Sequence, residues 1–259
     1  MAQSTVGKIY VGANQMFPGI PAPPIPPPTP PTSGLIAWFD ADDYTSGATW
    51  TDRSGNSNNL TLNNTYSKVT SPITAVYFNN GFGVKSGVSS WSATTDVTHI
   101  EIIRPTVVGS FIGSFVLQGT NGVSGFEFGG TGRIYVWKNA DTGYFLNTQT
   151  YDTAKTAFVA RRFTSGFDNT SNLTVSYGDD SSVALTHYGA GNFTLGRAGS
   201  TTYTLGGTVS LGVGTIDVTS GLTYDMSGYY GVNLFYNRIL TDQEVQDIYD
   251  YYKSTYSLV

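Results

Sequence analysis

From Gly34 to Val259 the chain is a succession of short apolar runs cut apart by clusters of Gly, Asn, Asp and Ser. The run VTHIEIIRP, Val97 to Pro105, alternates most cleanly. Val97, His99, Glu101 and Ile103 fall on one side and Thr98, Ile100, Ile102 and Arg104 on the other, the period of two that belongs to a β-strand. GLIAWFDA (34–41), GSFVLQG (113–119), GFEFGG (125–130), GRIYVWKN (132–139), TAFVARRF (156–163), NLTVSYGDD (172–180), NFTLGRAG (192–199) and GYYGVNLFYNRIL (228–240) are further strand-like runs. Many short strands with turn residues between them predict an all-β sandwich or barrel. Only the last segment, LTDQEVQDIYDYYKSTY, changes period. Thr241 and Glu244 have the spacing of a capping box, with Leu240 and Val245 as the hydrophobic staple. Val245, Ile248, Tyr249, Tyr252 and Tyr256 form one stripe at helical spacing, which predicts a single C-terminal helix packed on the sheets.

Ahead of Gly34 the pattern is different. Nine of the eleven prolines lie between Pro18 and Pro31. Proline has no backbone N–H and a fixed φ, so residues 18–33 cannot join a helix or a central strand. They predict an extended polyproline linker spanning roughly 40 Å. P-x-x-P spacing also suits SH3- or WW-type grooves. Such ligands carry a flanking basic residue, and none lies between Lys8 and Arg53, which favours the spacer. Residues 1–17 are too few to bury a core of their own. Ile9, Tyr10, Val11, Met16 and Phe17 therefore call for a partner surface, and strand addition to another chain's sheet is one route. A terminus of this length is otherwise commonly unstructured; the apolar pattern points to docking.

Composition narrows the function. Charged residues make up 12% of the chain, with three glutamates among them, and the net charge is −5. The basic residues do not cluster, so the footprint of a nucleic-acid binder is missing. No run of about 18 apolar residues is available to span a membrane. The absence of cysteine removes disulfides, thiol catalysis and zinc–thiolate sites together.

The order of the pieces resembles the concanavalin A-like, laminin G-like jelly roll. GLIAWFDADDYTSGATWTDRSGNSNNLTL is similar to the family's opening strand, loop and turn, with Trp50, Asp52, Ser54, Gly55, Asn56, Asn58 and Leu62 at the matching positions. VTHIEIIRP matches a family strand position by position, with Ile102 where Trp is usual. TAFVARRF, LTVSYGDDS and FTLGRAG follow in the family's order. GYYGVNLFYNRILTDQEVQDIYDYY resembles its closing strand and helix, with Phe235, Tyr236, Asn237 and Arg238 at the join. This implies a jelly-roll sandwich over 34–259 with one C-terminal helix, preceded by an extended arm and the polyproline linker. The turn residues and Arg238 read as structural. The segment KIYVG…MFP (Lys8–Pro18) resembles N-terminal segments of tailed-phage tail and fibre proteins.

Candidate chemistry is sparse. Glucanases on this fold carry two Glu on one strand, whereas Glu101, Glu127 and Glu244 are scattered here. His99 and His187 show no triad pattern with Ser and Asp, so no enzyme is expected. Relatives of this fold often bind calcium through loop carboxylates, for which Asp40, Asp42 and Asp43 are the candidates; such turns are otherwise simply solvated. Sugar binding needs exposed aromatics beside polar groups. Trp91, Trp137, Asn139, Asp141 and Tyr144 are the candidates, against the commoner fate of packing in a sheet core.

The layout then reads as arm, spacer and head. It implies a phage virion protein docked to other virion proteins through residues 1–17, displaying a lectin-like domain toward host surface polysaccharide. Multiple copies or a homo-oligomer on the particle fit that role, and neither nucleic acid nor membrane is a partner. The alternative is a capsid decoration or tail structural protein that binds no sugar.

Overall fold

The structure, a computed structural model, describes residues 29–88, 96–106, 112–119, 122–128, 134–138, 144–147, 154–163, 173–189, 193–197, 208–215 and 227–259, with backbone only for 112–113, 122–128, 134–138, 144–147 and 193–197. Residues 1–17, and the linker up to residue 28, lie outside this set.

Among the described residues seventeen strands form two antiparallel sheets. In chain order they are β1 (Leu35–Asp40), β2 (Thr49–Trp50), β3 (Leu60–Asn63), β4 (Tyr66–Val69), β5 (Ala75–Phe78), β6 (Phe82–Lys85), β7 (Val97–Pro105), β8 (Ile112–Gly119) and β9 (Gly122–Phe128). Then come β10 (Ile134–Lys138), β11 (Tyr144–Asn147), β12 (Ala157–Phe163), β13 (Leu173–Asp179), β14 (Thr186–Tyr188), β15 (Phe193–Arg197), β16 (Ser210–Val213) and β17 (Gly228–Tyr236), closed by the helix α1 (Asp242–Lys253). The first sheet has the order β14-β13-β12-β7-β17-β5-β4, and β1 also pairs with β17. The second has the order β15-β11-β10-β9-β8-β16-β6-β3-β2.

The central strands of the first sheet, β1, β7, β12 and β17, are buried on both faces. One face meets the second sheet, where Phe39, Val159 and Phe235 join Trp50, Leu60, Phe115, Leu117 and Leu211. The other face meets α1. There Trp38, Ile100, Ile102, Phe158, Ala160 and Leu234 pack with Val245, Ile248, Tyr249 and Tyr252 of the helix, and with Tyr256 just beyond it. Adjacent residues such as Trp38 and Phe39, or Leu234 and Phe235, serve opposite cores, as the period of two requires. The stripe expected of α1 is the face it buries.

The helix begins as its sequence predicts. Thr241 Oγ1 accepts from the Glu244 amide at 3.2 Å, and Glu244 Oε2 accepts from the Thr241 amide at 2.9 Å. Arg238 donates to both Glu244 oxygens, at 3.0 and 2.7 Å. Together these bonds hold the Glu244 carboxyl down to about 2, the Arg238 hydrogen bond being the largest cause. Arg238 Nε also donates to the Ser33 carbonyl at 2.8 Å, and the Asn237 amide donates to the Gly34 carbonyl at 3.0 Å. The last linker residues are thus tied to the corner between β17 and α1. Gly34 sits at φ +71, and a Cβ there would lie 2.9 Å from Arg238 Cγ.

Two glycines let the helix side approach the sheet backbone. A Cβ on Gly231 would stand 2.6 Å from the Tyr256 ring, and one on Gly178 would stand 2.8 Å from the Tyr249 ring. Gly231 also lies at the register shift between Tyr230 and Val232. Gly231→Ala is expected to lower stability by about 1–3 kcal/mol through overpacking, measured by urea unfolding against the wild type. Glu244 has a folded pKa below its usual value, so it contributes stability that is full above the usual carboxylate range and is lost as pH falls toward 2. Glu244→Gln should flatten that acid limb in a pH series of thermal melts.

Candidate functional site

The loop between β2 and β3 is built around Asp52, which is buried. Its Oδ1 accepts from the amides of Trp38 and Ser54, each at 2.9 Å, and its Oδ2 accepts from the Asn58 amide at 2.9 Å and Ser54 Oγ at 2.8 Å. Asn56 and Asn58 donate to the Ile36 carbonyl at 3.0 and 2.8 Å. The segment TDRSGNSNN is therefore a clamp on β1, the structural role read from its turn chemistry.

Of the three aspartates expected as calcium ligands, Asp40 and Asp43 have separate duties. Asp40 is buried and caps the short turn Ala41–Asp43 by accepting from the Asp42 amide at 3.0 Å. Its Oδ2 accepts from Tyr252 OH at 3.0 Å, and Tyr252 OH in turn accepts from Trp38 Nε1 at 2.8 Å. Burial pushes the Asp40 carboxyl up, against these hydrogen bonds. Asp43 faces Arg53 at 3.5 Å, and Arg53 also reaches Asp40 at 3.4 Å. Among the described residues no three His, Asp or Glu side chains converge on a metal position, so Asp40, Asp42 and Asp43 are not brought together as ligands.

A charged cluster lies between the sheets. Glu101 on β7 and Arg161 on β12, both with no exposure, form an ion pair at 2.6 Å. Ser114 on β8 donates to Glu101. His99 is fully buried, stacked on Phe115 and Phe235 at ring-centroid distances of 3.8 and 4.5 Å. Burial, and then the Arg161 charge, hold it well below the ordinary histidine range, so it is neutral. Its Nδ1 accepts from Arg161 at 3.2 Å, which leaves Nε2–H to donate to Asn233 Oδ1 at 3.1 Å. The alternation of β7 placed His99 and Glu101 on one face; that this face looks into the sandwich comes from the three-dimensional pairing.

A Ser–His–Asp grouping also occurs, with the wrong geometry for a nucleophile. Ser176 Oγ lies 2.6 Å from His187 Nδ1, and Asp242 lies 3.7 Å from the same nitrogen. A proton relay needs the serine and the carboxylate on opposite ring nitrogens. Ser176 is moreover buried, and Arg162 holds both it, at 3.3 Å, and Asp242, at 2.6 Å.

Of the sugar-binding candidates, Trp91, Asn139 and Asp141 lie outside the described residues, as do the docking candidates Ile9, Tyr10, Val11, Met16 and Phe17. Trp137 and Tyr144 are brought together: they are direct register partners across β10 and β11. Their row continues to Gly125 and Val116 on one side and to Arg197 on the other. It is out of phase with Phe115 and Leu117, which line the space between the sheets.

A second aromatic pair was not singled out in the sequence. Tyr77 on β5 and Tyr229 on β17 are register partners with ring centroids 4.8 Å apart, and both are half-buried. Arg104 pairs with Tyr229 on the other side, and its guanidinium lies 3.7 Å from the Asp180 carboxylate. The two tyrosines are far apart in the chain, so no local window holds both.

No family model and no curated protein matches this sequence. By structure the chain is similar to domain 4 of AbnA, a GH43 extracellular arabinanase from Geobacillus stearothermophilus solved with arabinotriose. The TM-score is 0.55 at 14% identity, covering 83% of this chain and 98% of that one. It is also similar to Trypanosoma rangeli sialidase, with a TM-score of 0.56 at 17% identity, covering 90% of this chain and 36% of that one. A covalent-intermediate structure of the same sialidase gives 0.57 at 14% identity. The chain thus spans about a third of the sialidase's length and nearly all of the arabinanase domain. The protein is a two-sheet β-sandwich with one C-terminal helix, the fold that these domains share with it.

Arg161→Met alone should cost about 3–5 kcal/mol by stranding Glu101 in the dry interior. Adding Glu101→Leu should restore much of that loss, a comparison made by denaturant unfolding of both variants.

Proposed function

We propose that the chain is a surface protein of a tailed-phage virion that displays this sandwich for attachment to host surface polysaccharide. The direct pairing of Trp137 with Tyr144 carries the sugar-binding part of this reading. Aromatic residues at directly paired positions on neighbouring strands are the residue type that receives sugar C–H groups, and Asn139 and Asp141, polar residues suited to sugar hydroxyls, lie between them in the sequence. The similar domain solved with arabinotriose supports this reading at the level of the fold.

The layout supplies the rest. Residues 1–17 dock into the particle through Ile9, Tyr10, Val11, Met16 and Phe17, and the proline-rich segment holds the head outward. Many copies on one particle raise avidity, so that a weak site on each suffices.

The test is binding of the full-length protein to host cells and to a glycan panel, with and without chelator. Saturable binding is expected, weakened about tenfold or more by Trp137→Ala and by Tyr144→Ala, as loss of an aromatic contact implies. Absence of binding by a protein that still assembles onto particles lacking it would leave a capsid decoration or tail structural protein instead.

A further inference from the structure

We propose that Asn80–Gly81, in the turn that passes from the first sheet to the second, is a site of spontaneous covalent modification, where the asparagine loses its side-chain amide through a cyclic imide. The inference is independent of the sugar-binding reading and rests on this turn alone.

The turn joins β5 of the first sheet to β6 of the second. Asn79 and Asn80 are exposed, and Gly81 is buried. Asn80 stands at φ +54, in the left-handed region that asparagine enters more readily than other residues with a side chain. Glycine follows it for lack of room. A Cβ at residue 81 would lie 2.3 Å from the Thr65 carbonyl oxygen and 3.2 Å from the Phe78 ring. The backbone path thus calls for asparagine and glycine in succession.

That succession has a chemical consequence. The amide nitrogen of a residue can attack Cγ of an asparagine just before it, and a side chain on the attacking residue hinders the approach. Glycine has none. Among the described residues Asn80 is the one asparagine that precedes a glycine. Neither its side-chain amide nor the Gly81 N–H makes a hydrogen bond among those residues. Other loop asparagines are tied down. Asn56 and Asn58 donate to the Ile36 carbonyl, and Asn59 accepts from the Asp52 amide at 2.9 Å. Turning the Asn80–Gly81 peptide toward Cγ breaks one exposed bond, from Asn64 Nδ2 to the Asn80 carbonyl at 3.1 Å. The Asn80 N–H, held by Ser227 Oγ at 3.2 Å, is not disturbed by that rotation.

In the first step Gly81 N bonds to Asn80 Cγ and the Cγ–Nδ2 bond breaks. Nδ2 leaves as ammonia, taking the proton from Gly81 N. Water then opens the imide at one of its two carbonyls. One opening leaves aspartate, and the other routes the main chain through Cγ as isoaspartate. Either product adds one negative charge to a chain of formal net charge −5. Isoaspartate also lengthens the main chain by one carbon where Gly81 is pressed against Thr65, and so strains the connection between the sheets.

The experiment incubates the full chain in alkaline and in mildly acidic buffer, beside a sample unfolded in urea. Peptide mass mapping and an isoaspartate assay follow the conversion. In the folded protein Asn80 is expected to gain the mass of an amide-to-acid change, faster in alkali because the attacking nitrogen must lose its proton. Isoaspartate should appear in the same peptide. The converted protein should melt about 2–4 °C lower, the shift that one modest loss of stability produces in a domain of this size. Asn80→Gly, which suits the left-handed residue, should keep its melting temperature through the same incubation. An Asn80 that stays an amide in the folded protein while the unfolded chain converts overturns the proposal, since the fold then holds the peptide away from Cγ. Conversion confined to the other such pair, Asn121–Gly122, overturns it as well. Should Asn80→Gly fail to fold, the peptide map of the wild type decides alone.

Discussion

Strand β17 is the constraint on which the rest of the molecule hangs. Its nine residues are bonded to β7 along one edge, and to β5 and then β1 along the other. Its two faces serve two cores, Phe235 toward the second sheet and Leu234 toward α1. Its last residues turn into Arg238, which reaches both the linker and the helix cap. One strand therefore fixes where residues 33 and 34 join the sandwich and where the helix lies. The shift at Gly231 is what allows the strand to change partners while the Tyr256 ring presses on its backbone.

The two sheets are held in register by polar devices as well as by apolar burial. Asp52 gathers amides from both β1 and its own loop, so that loop and strand cannot slide independently. Between the sheets, Glu101, Arg161, His99, Asn233 and Ser114 join strands β7, β12, β17 and β8 in one network. A buried ion pair of this kind gives little net stability over an apolar substitute, yet a slip of one residue would leave a charge without its partner. Specific pairing is its contribution.

Much of this was legible in the chain. The alternation of Val97–Pro105, the capping box at Thr241 and Glu244, and the stripe from Val245 to Tyr256 each depend on neighbours a few residues apart, and each stands in the structure. The short strands β2 to β6, β11, β14 and β16 are not among the runs that the sequence pattern predicts. LTLN, FGVK and SLGV are too brief and too rich in Gly or Asn to carry a period of their own. Trp137 and Tyr144 were chosen from one hairpin-like segment, within local reach. The facing of Glu101 into the sandwich, the use of Asp40 by Tyr252 and the pairing of Tyr77 with Tyr229 all depend on residues brought together from distant parts of the chain. These were beyond any local pattern.

The tie between Arg238 and the linker also sets how the head bears load. Tension applied through the proline-rich segment enters at Ser33 and Gly34 and passes directly into β1, which runs antiparallel to β17. A pull between that point and the opposite end of β17 acts along the strand axes, across hydrogen bonds that lie perpendicular to them. The ladder is then loaded in shear, with its bonds sharing the force together, rather than being peeled open one at a time. A sandwich loaded in this way resists being unravelled from its N-terminal side.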